Sequence, residues 1–547
     1  MSTENENSSA SQSMSDALRH EPHGKGGAGV ESEEPPHQDA TARRTLLLTS
    51  LGIYVLMSLI GIYSSMDAVI YVPVANKLNA LSRAEWILNG YLITSTALQP
   101  IYGKCSDIIG RVPAMLAATL LFLVGSVLCA TSNTMNMLIA SRAIQGLGSA
   151  GLYTMVNVVI ADVFGERDRA RFMGYSSAVW ALCSSGGSVL GGAIAQLSNW
   201  RIAFWVNVPI AVIAAAIILV LLRLPKPSGT RQEKLRRIDF VGSLISLLSI
   251  VLILLALSWG GREYPWKSAR VICCIVFGCL AAGLFVVYES RYPVEPIVPM
   301  RLFKARNVAI SFVGHVFFGA ATYAPLMLIP QWSIVVRNST PITSALYTLP
   351  FSLAELVAVT ITGIWVTKAG RYRESIWLGA CALLIGTALL ILLDQNSGLG
   401  HIIGFLAVAG IGFGACIQTL ILAAQVSVSG KDSAATTSVC IFMRSLGNIL
   451  VVAVLSSVSQ NKRNGEFTKI AAEYPQYSKD IWMIAENQSL IHKLDLPPQV
   501  FDLLVSAFMK SMRAAFVALT PFSALFLLLS LGTKHVPLQT SKKVTIE

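Results

Sequence analysis

The chain has 547 residues, of which 54% are hydrophobic and only 13% charged, with a mean hydropathy of +0.60. So few charges cannot cover that much apolar surface in water, which excludes a soluble globular protein. The net charge of +12 does not point to nucleic acid, because the basic residues are spread over short loops between long apolar runs.

Residues 1–42 are polar, rich in Ser, Glu, His and Gly, and contain no apolar run. They read as a disordered cytoplasmic tail and not as a signal peptide. Arg43-Arg44 then stop at the membrane face. A bilayer core of roughly 30 Å takes about 20 apolar residues per helix. Runs of that kind predict spans 1–6 at 46–72, 84–104, 113–131, 136–160, 172–196 and 202–222. Spans 7 and 8 follow at 240–260 and 270–289, and spans 9–14 at 308–331, 343–366, 375–393, 401–426, 435–458 and 511–532. The predicted fold is an all-α polytopic membrane protein. Its parts are the tail 1–42, a six-helix half 43–223, and a linker with two inserted helices 224–290. A second six-helix half, 291–533, includes an outer loop 459–510 and precedes a cytoplasmic tail 534–547. Lys and Arg crowd the loops on one side (Arg167 to Arg171, Lys226 to Arg237, Arg301 to Arg306). That bias places those loops and both termini in the cytoplasm.

Between spans 2 and 3 lies Gly103-Lys104-Cys105-Ser106-Asp107-Ile108-Ile109-Gly110-Arg111. A degraded copy, Gly363-Ile364-Trp365-Val366-Thr367-Lys368-Ala369-Gly370-Arg371, joins spans 10 and 11. The glycines and the Arg recur in register, whereas Asp107 becomes Thr367. Corresponding glycine turns in two halves of a membrane protein mark an internally duplicated secondary transporter. Spans 1–6 then map onto 9–14, with spans 7 and 8 inserted between them. Gly146-Leu147-Gly148 in span 4 echoes Gly410-Ile411-Gly412 in span 12, small residues that allow close helix contact. Gly110 permits the tight turn, and Asp107 and Arg111 are placed to bond neighbouring helix ends. Thr367 denies the second copy that charge pair.

A charged side chain inside a span costs at least ~2.5–3.5 kcal/mol, so each one requires a partner or a wet cavity. Asp67 falls in the outer half of span 1, and Arg142 about 10 Å into span 4 from the outer face. At similar depth, the two either pair or leave Asp67 solvated at its helix end. Glu355 follows Pro350, read as a kink, and sits near the midplane of span 10. His315 reaches a comparable depth in span 9. Together they form a candidate proton or cation site; the alternative is a protonated Glu355 hydrogen-bonded within the bundle. Arg444 lies about 12 Å into span 13 from the cytoplasmic side. It either offsets cavity acids and meets an anionic substrate group, or bonds backbone carbonyls.

With these residues the chain resembles the major facilitator superfamily, and within it the fungal fourteen-span drug:proton antiporters. Gly103, Asp107, Gly110 and Arg111 fit the loop motif between helices 2 and 3. Arg142-Ala143-Ile144-Gln145-Gly146-Leu147-Gly148 fits the helix 4 motif of the drug-efflux branches. Gly187-Ser188-Val189-Leu190-Gly191-Gly192 fits the helix 5 antiporter motif, with Ser188 where proline is usual. Trp200-Arg201, Phe204, Asn207 and Pro209 resemble the opening of helix 6, and Arg444 and Gly447 the helix 13 signature. The resemblance implies the major facilitator fold, with two six-helix halves plus two inserted helices. It further implies a monomer in the lipid bilayer that exports drugs, toxins or secondary metabolites in exchange for protons by alternating access. By the same resemblance the loop motif latches the two halves on the cytoplasmic side in one state. Tyr91-Leu92-Ile93-Thr94-Ser95-Thr96-Ala97-Leu98-Gln99-Pro100 is also similar to a fungal subgroup that imports basic amino acids into the vacuole. Plasma membrane and vacuolar membrane therefore both remain open.

No GxxxxGK[ST] sequence occurs, so no phosphate-binding loop is encoded and an ion or substrate gradient must drive transport. Neither a nucleophile motif nor a clustered His/Cys metal set is present, so the reading includes no enzyme, cofactor or bound metal. The nine cysteines lie in apolar segments or near their ends and read as packing residues. Of the sequons, Asn487-Gln488-Ser489 in the outer loop is expected to carry glycan. Asn338, followed by Pro341, and Asn7 in the cytoplasmic tail are expected to be bare.

Overall fold

In hydrocarbon every backbone N–H needs a partner within its own segment, so the apolar runs become helices. The computed structural model describes residues 38–538 apart from 81–82, 198, 223, 225–229, 231–232, 234–236, 262–263, 293–294 and 487. Span 1 is Gln38–Lys77, span 3 Arg111–Ala130, span 4 Met135–Val163, span 5 Glu166–Leu197, span 7 Phe240–Trp259 and span 8 Ala269–Arg291. Span 9 is Arg306–Arg337, span 11 Arg373–Leu389, span 12 Leu399–Gln425, span 13 Ser433–Glu473 and span 14 Pro498–Leu531. Three spans are broken: span 2 into Glu85–Ala97 and Gln99–Ile109, span 6 into Arg201–Trp205 and Asn207–Leu221, and span 10 into Pro341–Leu346 and Leu349–Ala369.

Among the described residues thirteen helices are long and apolar enough to cross a membrane. Span 2 is the fourteenth, and neither of its pieces qualifies alone. Pro100 explains the break, because its ring clashes with the carbonyl four residues back and it has no N–H to donate there. Pro350 stands at the equivalent place in span 10, just after the interruption between Leu346 and Leu349, where the sequence put a kink. It opens the second piece of span 10, where a missing N–H costs nothing.

The outer segment 459–510, expected as a loop, is largely helical. Span 13 continues to Glu473, a helix Ser478–Glu486 follows, and span 14 already begins at Pro498. Phe467, Ile470, Ile481, Ile484, Val500 and Leu504 are buried together there with the core of the second half. Asn487, the expected glycan site, lies outside the described residues. Span 9 runs to Arg337, so Asn338 caps it directly in a left-handed conformation.

Equivalent glycines sit at equivalent helix contacts in the two halves. A Cβ on Gly146 would meet Tyr91 O of span 2 at 2.6 Å, and one on Gly148 would meet Ala118 O of span 3 at 2.6 Å. Gly410 is pressed in the same way on Phe351 of span 10, and Gly412 on Gly379 O of span 11 at 2.7 Å. Gly187 meets Ile62 between spans 5 and 1, as Gly447 meets Val316 between spans 13 and 9.

Spans 4, 9 and 12 bury 78%, 67% and 72% of their most apolar stretch, whereas spans 7 and 8 bury 28% and 11%. The first three are therefore interior, and the inserted pair lies at the periphery with its apolar faces left to lipid. The chain divides into two units at Arg44, and the bundle belongs to the second, Thr45–Glu547. Its face bearing the span 2–3 turn is termed the basic face, and the other the far face. Towards the basic face one apolar cluster joins the halves, with Phe122 and Met155 in continuity with Phe312, Ile421, Val439 and Cys440. Towards the far face the first half keeps its own cluster around Met66, Ile70, Trp200 and Phe204.

Candidate functional site

Asp67 and Arg142 are both buried, and Arg142 Nη2 lies 2.8 Å from Asp67 Oδ2. The approach lacks hydrogen-bond alignment, so neither carboxylate oxygen receives a hydrogen bond. Arg142 is otherwise well held. Its Nε donates to Ile87 O at 2.8 Å and its Nη1 to Gln145 Oε1 at 3.0 Å. The guanidinium also lies 4.7 Å from the ring centroid of Tyr91 and 5.2 Å from that of Tyr63. Gln145 is fixed in turn, accepting from Tyr63 Oη at 2.7 Å and donating to Ser126 Oγ at 2.8 Å. The result is an aromatic and amide cage that keeps the cation in place and leaves the acid under-solvated.

The antiporter glycines back this pair from span 5. A Cβ on Gly191 would stand 2.9 Å from Met66 O, one residue before Asp67. Gly187 is pressed on Ile62, and Gly192 faces Ile342 of span 10 at 2.5 Å. Span 5 runs unbroken through Ser188, whose hydroxyl donates to Ser184 O at 3.4 Å. No break therefore occurs where the usual proline is missing.

A second polar layer crosses between the halves at mid-depth. Arg444, Tyr153, His315 and Gln99 all lie about 14–17 Å along their helices from the basic-face ends. Arg444 Nη2 bonds Tyr153 Oη, and its guanidinium sits 5.1 Å from that ring centroid. Gln99 Nε2 donates to Ser445 Oγ at 3.2 Å, and Gln418 Nε2 donates to Ser177 Oγ at 2.5 Å. Arg444 forms no ion pair among the described residues. His315 Nδ1 donates to Ser311 O at 2.7 Å, and its Nε2 has no partner. Glu355 is buried with Oε1 unpartnered. No hydrogen bond joins His315 to Glu355, so the carboxylate–imidazole contact allowed by the sequence is not formed.

At the basic face the loop motif forms a charge cluster. Asp107 pairs with Arg111 at 2.6 Å, and Arg111 pairs with Asp162 at 2.7 Å and donates to Ser106 Oγ at 2.6 Å. Gly110 turns with φ +114°, which favours glycine. Asp107, Arg111, Asp162 and Ser106 belong to the first half, and the motif's charge reaches across through Lys104, 3.2 Å from Glu295. Gly103 adds a close backbone contact, pressed on Ser438 and on Ala434 O at 3.1 Å. In the second copy Gly370 turns with φ +69°, Thr367 Oγ1 donates to Gly363 O at 2.9 Å, and Arg371 is exposed.

The sequence pointed to neither Tyr153 nor Asp162, and to Gln145 only as part of the helix 4 motif. Asp162 alone carried a usable signal, an acid at the basic-face end of span 4 facing the Arg of the adjacent turn.

The Major Facilitator Superfamily profile matches residues 45–452. The chain is 31% identical over 509 residues to the protein named Efflux pump dotC of Dothistroma septosporum, covering 91% of this chain and 85% of that one. It is 32% identical over 444 residues to the acurin A biosynthesis cluster MFS-type transporter of Aspergillus aculeatus, covering 81% and 79%. Among solved structures, a bacterial homologue of the human lysosomal transporter Spinster aligns with a TM-score of 0.55 at 18% identity. That alignment covers 90% of this chain and 97% of the other, and shows a likeness of fold.

Proposed function

Because the chain belongs to the major facilitator superfamily, we propose that it is a secondary active transporter exporting small organic molecules, secondary metabolites among them, in exchange for protons. The observation that carries this reading is the buried Asp67–Arg142 pair at 2.8 Å with its unbonded carboxylate. The relatives named as an efflux pump and as a biosynthesis-cluster transporter support the direction of transport. The basic face is the cytoplasmic one, and the protein works in the plasma or the vacuolar membrane.

Alternating access supplies the coupling. When span 1 shifts against span 4, Asp67 leaves Arg142, and a carboxylate without its counter-charge in apolar surroundings takes a proton. Arg142 keeps Ile87 O, Gln145 and its aromatic neighbours, so separation falls mainly on the acid. In the second half the buried, unpartnered Glu355 Oε1 and His315 Nε2 supply a second titrating layer that a bound substrate disturbs.

In inside-out vesicles with an acidic lumen, a lipophilic dye such as ethidium is expected to accumulate, and Asp67→Asn to abolish accumulation while sparing downhill exchange. Gradient-driven uptake of arginine in place of the dye would establish vacuolar amino-acid import instead. An unchanged accumulation ratio and pH profile in Asp67→Asn would remove Asp67 from the mechanism.

A further inference from the structure

Glu295 lies in the connection from span 8 to span 9 and makes two ion pairs to different parts of the chain. Its Oε2 is 3.2 Å from Lys104 Nζ, one residue after the Gly103 contact. Its Oε1 is 2.5 Å from Arg237 Nη2 and accepts from Arg237 Nε at 2.6 Å, just before span 7. We propose that Glu295 is a gating residue, the bolt of a cytoplasmic clamp through which the segments flanking the two inserted spans hold the halves closed. The proposal rests on the alternating-access reading above and assigns a role to the insertion.

Three observations fix Glu295 to the second half and the insertion. Glu289, buried at the end of span 8, accepts from the backbone N–H groups of Ile297 and Val298 at 2.7 and 3.1 Å. These bonds set the course of the connecting chain just past Glu295. Arg301 then ties that chain to the turn between spans 12 and 13 by two bonds to Asp432, at 2.8 and 3.2 Å. Tyr288 Oη meets Asp239 Oδ1 at 3.3 Å, and Asp239 caps span 7 through Gly242 N at 2.8 Å. The inserted spans and the connection thus form one braced piece, with Arg237 on it.

Lys104 belongs to the other side of the seam. Opening the cytoplasmic end draws Gly103 off Ser438 and carries Lys104 away from Glu295, so the pair is made in the closed state and broken in the open one. Its strength suits that task. The side chains of Lys104 and Glu295 are 18% and 21% exposed and border a cavity of about 770 Å³ at the cytoplasmic face. Ion pairs in contact with water are individually weak, so this one biases the gate without locking it. Partial burial works against the Glu295 carboxylate, but Arg237 and Lys104 hold it below the usual carboxylate range. It therefore stays charged at cytoplasmic pH.

The test is hydrogen exchange on the full chain in lipid nanodiscs, without substrate or proton gradient. Lys104→Met and Glu295→Gln are each expected to raise exchange several-fold at the cytoplasmic ends of spans 2 and 13. Exchange around Arg142 should stay at the parental rate. Glu295→Gln removes the Lys104 bond together with the Arg237 one, so the double variant should do no more than Glu295→Gln alone. Lys104→Arg, which keeps the charge, should stay at the parental level. Parental exchange in both single variants, additive effects in the double, or a rise spread over both faces would overturn the clamp. Because the readout involves neither substrate nor protons, failure of the transport reading leaves it interpretable.

Discussion

Asp67 touches Arg142 without receiving a hydrogen bond, whereas Arg142 has two further acceptors and flanking rings. Loss of either partner should therefore have unequal consequences. Removing one member of a buried pair costs about 3–5 kcal/mol when the other charge is left uncompensated. Asp67→Asn leaves Arg142 its bonds to Ile87 O and Gln145 and its flanking rings, with Nη2 alone unpartnered, and should fold at close to parental yield. Arg142→Leu leaves a buried carboxyl that must take up a proton and has no hydrogen-bond partner on either oxygen, and should lower stability and membrane yield. Combining it with Asp67→Asn should recover much of the yield. Thermal unfolding in detergent checks this, and equal losses for the two single variants would contradict the cage. At this scale depth along a helix was legible in the sequence, because both residues sit on long helices with readable ends. The cage was not. Tyr63, Tyr91, Gln145 and Phe204 come from spans 1, 2, 4 and 6, and the face each helix turns inward is settled only by packing.

Helix contacts carry the next level of specification, and glycines mark where they are tightest. Gly191 stands against Met66 backbone, with Met66 O 2.9 Å and Met66 Cα 3.0 Å from an added Cβ. Gly186, on the same helix, has nothing within 4 Å. Gly191→Val should push span 1 off span 5 at a cost of about 1–3 kcal/mol, displace Asp67, and shift the pH profile of transport. Gly186→Val should leave both stability and profile unchanged. Matched effects of the two substitutions would show that span 5 responds to side-chain bulk alone and not to this contact. Much at the scale of elements was legible, down to the two glycine turns that place span 2 opposite span 10. The end of span 13 was not, because Asn461-Lys462-Arg463-Asn464 interrupts the apolar run, while a helix needs no apolar continuity beyond the bilayer. Phe467 and Ile470, three residues apart, carried the missed signal. The pairing of Lys104 with Glu295 could not be read either, since it joins two turns 191 residues apart whose approach depends on how the halves close.

Across the whole molecule, the halves meet through few polar bonds at mid-depth, and the bond between Arg444 and Tyr153 ties span 13 of the second half to span 4. A hydrogen bond to a charged group contributes about 1.5–3 kcal/mol. An energy of that size, present only when the cytoplasmic end is closed, shifts the closed-to-open ratio by roughly tenfold or more. Tyr153→Phe removes the hydroxyl but keeps a ring over the guanidinium. It should leave thermal stability nearly unchanged, because Tyr153 and Arg444 are only partly buried and water can replace the lost partner. The gate, however, should open more often. In inside-out vesicles the variant should show faster downhill exchange of dye and a lower steady accumulation ratio. Tyr153→Leu, which also removes the ring, should lower the ratio further. If Tyr153→Phe instead keeps the parental ratio and exchange rate, Arg444 does not link the state of the second half to closure, and coupling must run through Asp67 and span 5 alone.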